Sequence, residues 1–149
     1  MKNMTRLDET IVEAFSALFE QRRFRKTAEH YDARYFGNEV VVYTSPEMAL
    51  KFVKDRSEIF VDVGPPDESS WFMAPRLFEY LHLANDLYGP ADPALLRRHA
   101  ILLDQAYGMV ADLFLPERRA ESENELRKFW KIKAEELFPS DDEGEYGPQ

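Results

Sequence analysis

The chain has no cysteine among its 149 residues. That absence removes disulfide staples, thiolate zinc sites, iron–sulfur clusters and cysteine nucleophiles together. Glycine is scarce too, with six residues in all. No GxGxxG, Walker or GxSxG arrangement is present, so the backbone cradles that hold phosphates and the strained elbow of a serine nucleophile are missing. His30, His82 and His99 form no HExxH pair and no other metal-ligand spacing. Apolar runs last only a few residues, against the roughly 20 that span a bilayer. The first residues, MKNMTRLDETIVEAF, show no apolar stretch before a cleavage site and read as no signal peptide. These absences lead to the expectation of a cytoplasmic, non-enzymatic protein with no catalytic residue, no metal and no cofactor.

The residues that are present describe a folded chain. Apolar residues make up 44% and aromatic residues 13%, far from the composition of disorder. A chain this long buries roughly 70% of its unfolded surface around one core. The formal net charge is −9 and the sequence pI near 4.9. Such a balance disfavours nucleic acid and anionic membrane, which are held by Lys and Arg, and suits a basic protein partner. Residues 139–149 carry four acids and no base, leaving −5 on the rest. This stretch has no apolar periodicity and reads as an acidic mobile tail behind a single α+β domain over residues 1–138.

The periodicity predicts the elements. Leu7, Ile11, Phe15 and Leu18 set a helix from about Thr5 to Arg22, with Arg22, Arg23, Arg25 and Lys26 at its carbonyl end. Strands are expected over 28–35, 39–44, 48–54 and 58–63. The alternation of Ile59, Val61 and Val63 against Phe60 and Asp62 marks one buried face. Segment 46–54 also permits a helical turn begun by Pro46, but the alternation of Leu50 and Phe52 favours a strand. Short connections make the four an antiparallel meander. Three helices then pack on the sheet: one begun at Pro75 and ended near Gly89-Pro90, one from Asp92-Pro93 to about Leu115, and one after Pro116. His99 falls between Leu95 and Leu102 on the second helix and reads as a packed residue donating to a carbonyl.

The region richest in interface-type residues runs from the sheet into the segment just after its last strand. Tyr35, Tyr43, Asp55, Arg56, Asp62, Trp71 and Phe72 are the candidate binding residues, since aromatics and arginine dominate hot spots. A structural role competes at each: Arg56 can pair with Asp62 across the hairpin, and Trp71 can cover the sheet edge.

Tyr35-Phe-Gly-Asn-Glu-Val-Val-Val-Tyr-Thr-Ser45, with Leu50-Lys-Phe52, Asp55-Arg56, Ile59-Phe-Val-Asp-Val63 and Trp71, resembles a pattern in small bacterial proteins of unknown role. Some of these are similar to immunity proteins of polymorphic toxin systems. Over residues 30–80 the resemblance implies a domain that neutralises a toxin by occlusion, with a basic toxin domain as partner. Two other classes stay open: a small hydrolase-type enzyme built from scattered carboxylates with His30 or His99, and a subunit of a larger assembly or mobile-element accessory protein.

Overall fold

A computed structural model describes residues 6–32, 38–56 and 58–137. The expected Thr5 cap, the Gly37 turn position and the acidic 139–149 segment lie outside them. Helix α1 (Arg6–Arg22) buries Leu7, Ile11, Phe15 and Leu18, the expected stripe, together with Phe19. It ends where Arg23 takes a left-handed φ of 63° and the Phe24 N–H donates back to the Phe19 carbonyl at 3.0 Å, a closure that satisfies orphan carbonyls.

Strands β1 (Arg25–Asp32), β2 (Asn38–Thr44), β3 (Ala49–Asp55), β4 (Glu58–Gly64) and β5 (Phe72–Met73) form one antiparallel sheet in chain order. Four strands answer the four expected, and segment 46–54 supplies one of them. Strand β1 starts three residues before the expected 28, taking in Arg25 and Lys26 that were expected at the helix end, and residues 33–35 lie outside the described ones. The two-residue β5 extends the meander at its β4 edge. Ser45 closes the β2–β3 corner, its hydroxyl oxygen accepting from the Glu47 and Met48 N–H groups at 3.2 Å.

The register divides the side chains cleanly. Val41 and Tyr43, Leu50 and Phe52, and Val61 and Val63 point into the core beneath α1. Asp8, buried on α1, accepts from the Tyr43 hydroxyl at 3.1 Å and from Lys26 Nζ at 2.9 Å. Lys26 also donates to Glu29 at 2.7 Å, so the buried carboxylate keeps the partners its desolvation demands. On the opposite face Val40, Val42, Lys51, Val53, Phe60 and Asp62 alternate with these residues; Val42 is buried and the other five are half-buried.

Among the described residues four helices come after the sheet rather than three: α2 (Ala74–Tyr80), α3 (Pro93–Gln105), α4 (Tyr107–Leu113) and α5 (Arg119–Leu137). Helix α2 stops nine residues short of Gly89 because His82 adopts a φ of 61° and the Leu83 N–H turns back to the Phe78 carbonyl at 2.8 Å. The expected Asp92 cap is formed, its side chain accepting from the Leu95 N–H at 2.8 Å. The long helix expected to Leu115 breaks at Ala106, whose φ of −107° and ψ of 19° leave the helical region. Tyr107 causes the turn. Its ring sits in the core, its hydroxyl lies 2.7 Å from Ser45 Oγ and donates to Glu47 at 2.7 Å, and Arg22 lies over the ring at 4.3 Å. The buried stripe is accordingly Leu96, His99, Ala100 and Leu103, one residue on from Leu95 and Leu102, while Met109 is exposed. His99 is buried, with Nδ1 2.8 Å from the Leu95 carbonyl and its ring against Phe78. No helix among the described residues is long and apolar enough to cross a membrane.

Candidate functional site

Residues 65–71 carry the chain from β4 to β5. Pro65 and Pro66 cannot donate to a ladder, and the segment folds back instead. The Asp67 carboxylate accepts from the Ser69 N–H at 3.0 Å and from Arg119 at 2.6 Å, and the Ser70 hydroxyl donates to Glu123 at 2.6 Å. The loop is thereby fastened to α5. Gly64 lets the Ser70 carbonyl approach the strand, because a Cβ there would lie 2.1 Å from that oxygen. The result is that Trp71 lies across the outer sheet face, with Lys51 Nζ 4.7 Å from its ring centroid.

Beside Trp71 the edge of the sheet, α2 and α5 enclose a cleft of about 250 Å³. Trp71 and Trp130, the only tryptophans of the chain, both line it. Asp62 from β4, Met73 from β5, Arg76 from α2 and Arg127 from α5 supply half of the rest. Trp130 carries the Arg76 guanidinium at 3.8 Å and stacks with Tyr88 at a centroid distance of 6.0 Å. Tyr88 is fixed in turn by donating to Glu79 at 2.6 Å, which also accepts from Lys133 at 2.8 Å. The indole wall is therefore braced from behind.

The charges are incompletely matched. Asp62 stands 3.9 Å from Lys51 Nζ, its neighbour across β3 and β4. Burial raises its carboxyl above the ordinary range, and Lys51 and Arg76 oppose that shift. Arg127 lies 3.8 Å from Glu123. Arg76 has no ion-pair partner within 4.0 Å among the described residues, and its Nε is buried without a hydrogen-bond acceptor. Burial lowers the Arg76 pKa, with Tyr88 and Asp62 acting in the other direction. A half-buried guanidinium that stacks on an indole but meets no acceptor is poised to take one.

Of the residues expected to bind, the fold gathers Asp62, Trp71 and Phe72 at this cleft. Phe72 is half-buried, stacked on Phe114 with Arg127 5.7 Å above it. Tyr43 lies elsewhere, buried in the core with its hydroxyl on Asp8. Asp55 and Arg56 occupy the β3–β4 corner, where Asp55 faces Glu58 and the Arg56 N–H donates to Asn38. Because Lys51 is the residue paired with Asp62, the expected Arg56–Asp62 bridge is replaced by Lys51–Asp62. The corner stands about 13 Å away along the strand. Tyr35 falls outside the described residues. Arg76, Trp130, Lys51 and Arg127 were not among the expected binding residues. Among the described residues no group of three His, Asp or Glu side chains is placed to hold a metal ion. No protein-family model, curated protein or solved structure matches the chain.

Proposed function

We propose that this chain is a non-enzymatic protein-binding domain whose contact surface is the outer face of the sheet and the tryptophan-walled cleft at its β5 edge. The observation that carries the reading is the cleft itself: two tryptophans flank a guanidinium that lacks an acceptor. Hot spots are built from these residue types in partly desolvated pockets. The cleft's volume of about 250 Å³ falls below the roughly 300–1,000 Å³ of small-molecule sites and suits one inserted side chain. Val40, Val53 and Phe60 continue the surface across the sheet, half-buried and outside the core.

The resemblance of residues 30–80 to small bacterial proteins, some of them similar to immunity proteins, supports a narrower form, in which the domain neutralises a toxin by covering its working surface. The net charge of −9 supports a basic partner. The test is affinity purification of the tagged chain from its native host, beside a Trp71→Ala, Arg76→Gln double variant of matched thermal stability. A stoichiometric partner held by the wild type and lost by the variant is expected. A partner retained equally by both, or none at stoichiometric yield, would remove the reading.

A further inference from the structure

The cleft's charge sets the chemistry of the group that enters it, an inference that rests on the protein-binding reading above. Arg76, Arg127 and Asp62 are the charged residues that line the cleft, and Lys51 and Glu123 pair with Asp62 and Arg127 from outside the lining, which leaves one positive charge in excess. Lys51 is drawn to Asp62 and Arg127 to Glu123, so the excess resides on Arg76. In a chain of net charge −9 a locally positive cleft runs against the background field. The side chain that holds it is planar, stacked on Trp130 at 3.8 Å, and presented beside a second indole. A guanidinium fixed in this way matches a carboxylate bidentately, and the stacking holds its fork in orientation. An inserted lysine or arginine would meet Arg76 head-on, and an apolar side chain would leave its buried Nε–H without an acceptor.

We infer that the cleft receives an acidic side chain of the partner, its carboxylate on Arg76 and its stem and apolar neighbours between Trp71 and Trp130. The positive charge within the cleft would then fix register, the partner bringing one acid to its centre.

Because both tryptophans line the cleft, indole signals report on it alone. The full chain is titrated with acetyl-Gly-Phe-Glu-Phe-Gly-amide and with its glutamine and lysine counterparts. Indole fluorescence is recorded, together with the NMR resonances of the two indole N–H groups and of Arg76 Nε–H. The glutamate peptide is expected to give saturable shifts at all three, with the glutamine peptide weaker on the order of tenfold and the lysine peptide weaker still. Arg76→Gln should abolish the preference while preserving the dispersion of the indole resonances. Equal binding of the glutamate and glutamine peptides, preference for lysine, an unchanged preference in Arg76→Gln, or no saturable shift with any peptide would overturn the inference. Indole shifts that grow with protein concentration alone would assign the cleft to a second copy and overturn it as well. If native-partner capture depends on the cleft yet glutamate is not preferred, the chemistry fails and the binding reading stands. If capture ignores the cleft, the binding reading fails first.

Discussion

Replacing Gly64 by alanine tests how the sheet builds the cleft wall. A Cβ at this position would lie 2.1 Å from the Ser70 carbonyl oxygen and 3.1 Å from Trp71 Cε3, where ordinary contact begins at 3.4 Å. The obstacle is backbone, so it cannot yield by a rotamer change. The Ser70 carbonyl must retreat by about 1 Å, against the resistance of a packed structure. The Arg119–Asp67 and Ser70–Glu123 bonds hold the loop from the other side, so the strain is shared between them and β4. Overpacking of this kind costs about 2 kcal/mol, which for a domain of this size lowers Tm by ~4–8 °C. Calorimetry reads the stability, and the indole N–H resonances read the position of the wall. The Trp71 signal should move markedly and the Trp130 signal little, since Trp130 is braced by Tyr88 and Arg76 instead. A Tm within about 1 °C of wild type together with an unmoved Trp71 resonance would refute the close approach and the route by which β4 positions Trp71.

Alkaline pH should destabilise the fold through two tyrosines. Tyr43 and Tyr107 are each pushed up to about 12, chiefly by burial, from the ordinary 10.0. The stability they lend is complete below pH 10 and is lost as pH rises towards 12, because the unfolded chain gives up protons that the fold retains. Tyrosinate absorbance and denaturant midpoints against pH measure both halves of the effect. Tyr43→Phe should cost about 1–3 kcal/mol by removing a donor from the buried Asp8 carboxylate. Acid acts through His99, held below its ordinary 6.5 chiefly by burial. Its stabilising effect is present above pH 6.5 and lost below, with a slope approaching about 1.4 kcal/mol per pH unit, and His99→Gln should flatten that part of the profile.

The strands were legible because the pattern that marks them is local. Ile59, Val61 and Val63 alternate with Phe60 and Asp62 in the sequence and sort to opposite faces in the fold. The stripe of α1 was equally readable. Features set by distant contacts were not. The break at Ala106 depends on Tyr107 reaching Ser45 and Glu47, some sixty residues away, while the helical periodicity runs on without interruption. Strand β5 has two residues, too few to show a period. Trp71, Phe72 and Asp62 could be selected for the site by residue type. Trp130 falls inside the helix expected after Pro116 and Arg76 inside the one begun at Pro75, and neither has a distinguishing neighbour in sequence. The signal for both exists only when α2 and α5 are brought beside β5.

Hydrogen–deuterium exchange of the domain, free and bound to its captured partner, tests most directly where binding occurs. Slowed exchange should concentrate in β4 and β5, through Trp71 to Leu77, and in α5 around Leu126 to Trp130. Protection confined instead to α3 and α4, where Ile101 and Met109 are 55% and 49% exposed, with β4, β5 and the Trp130 turn unchanged, would contradict the assignment of the cleft as the binding surface.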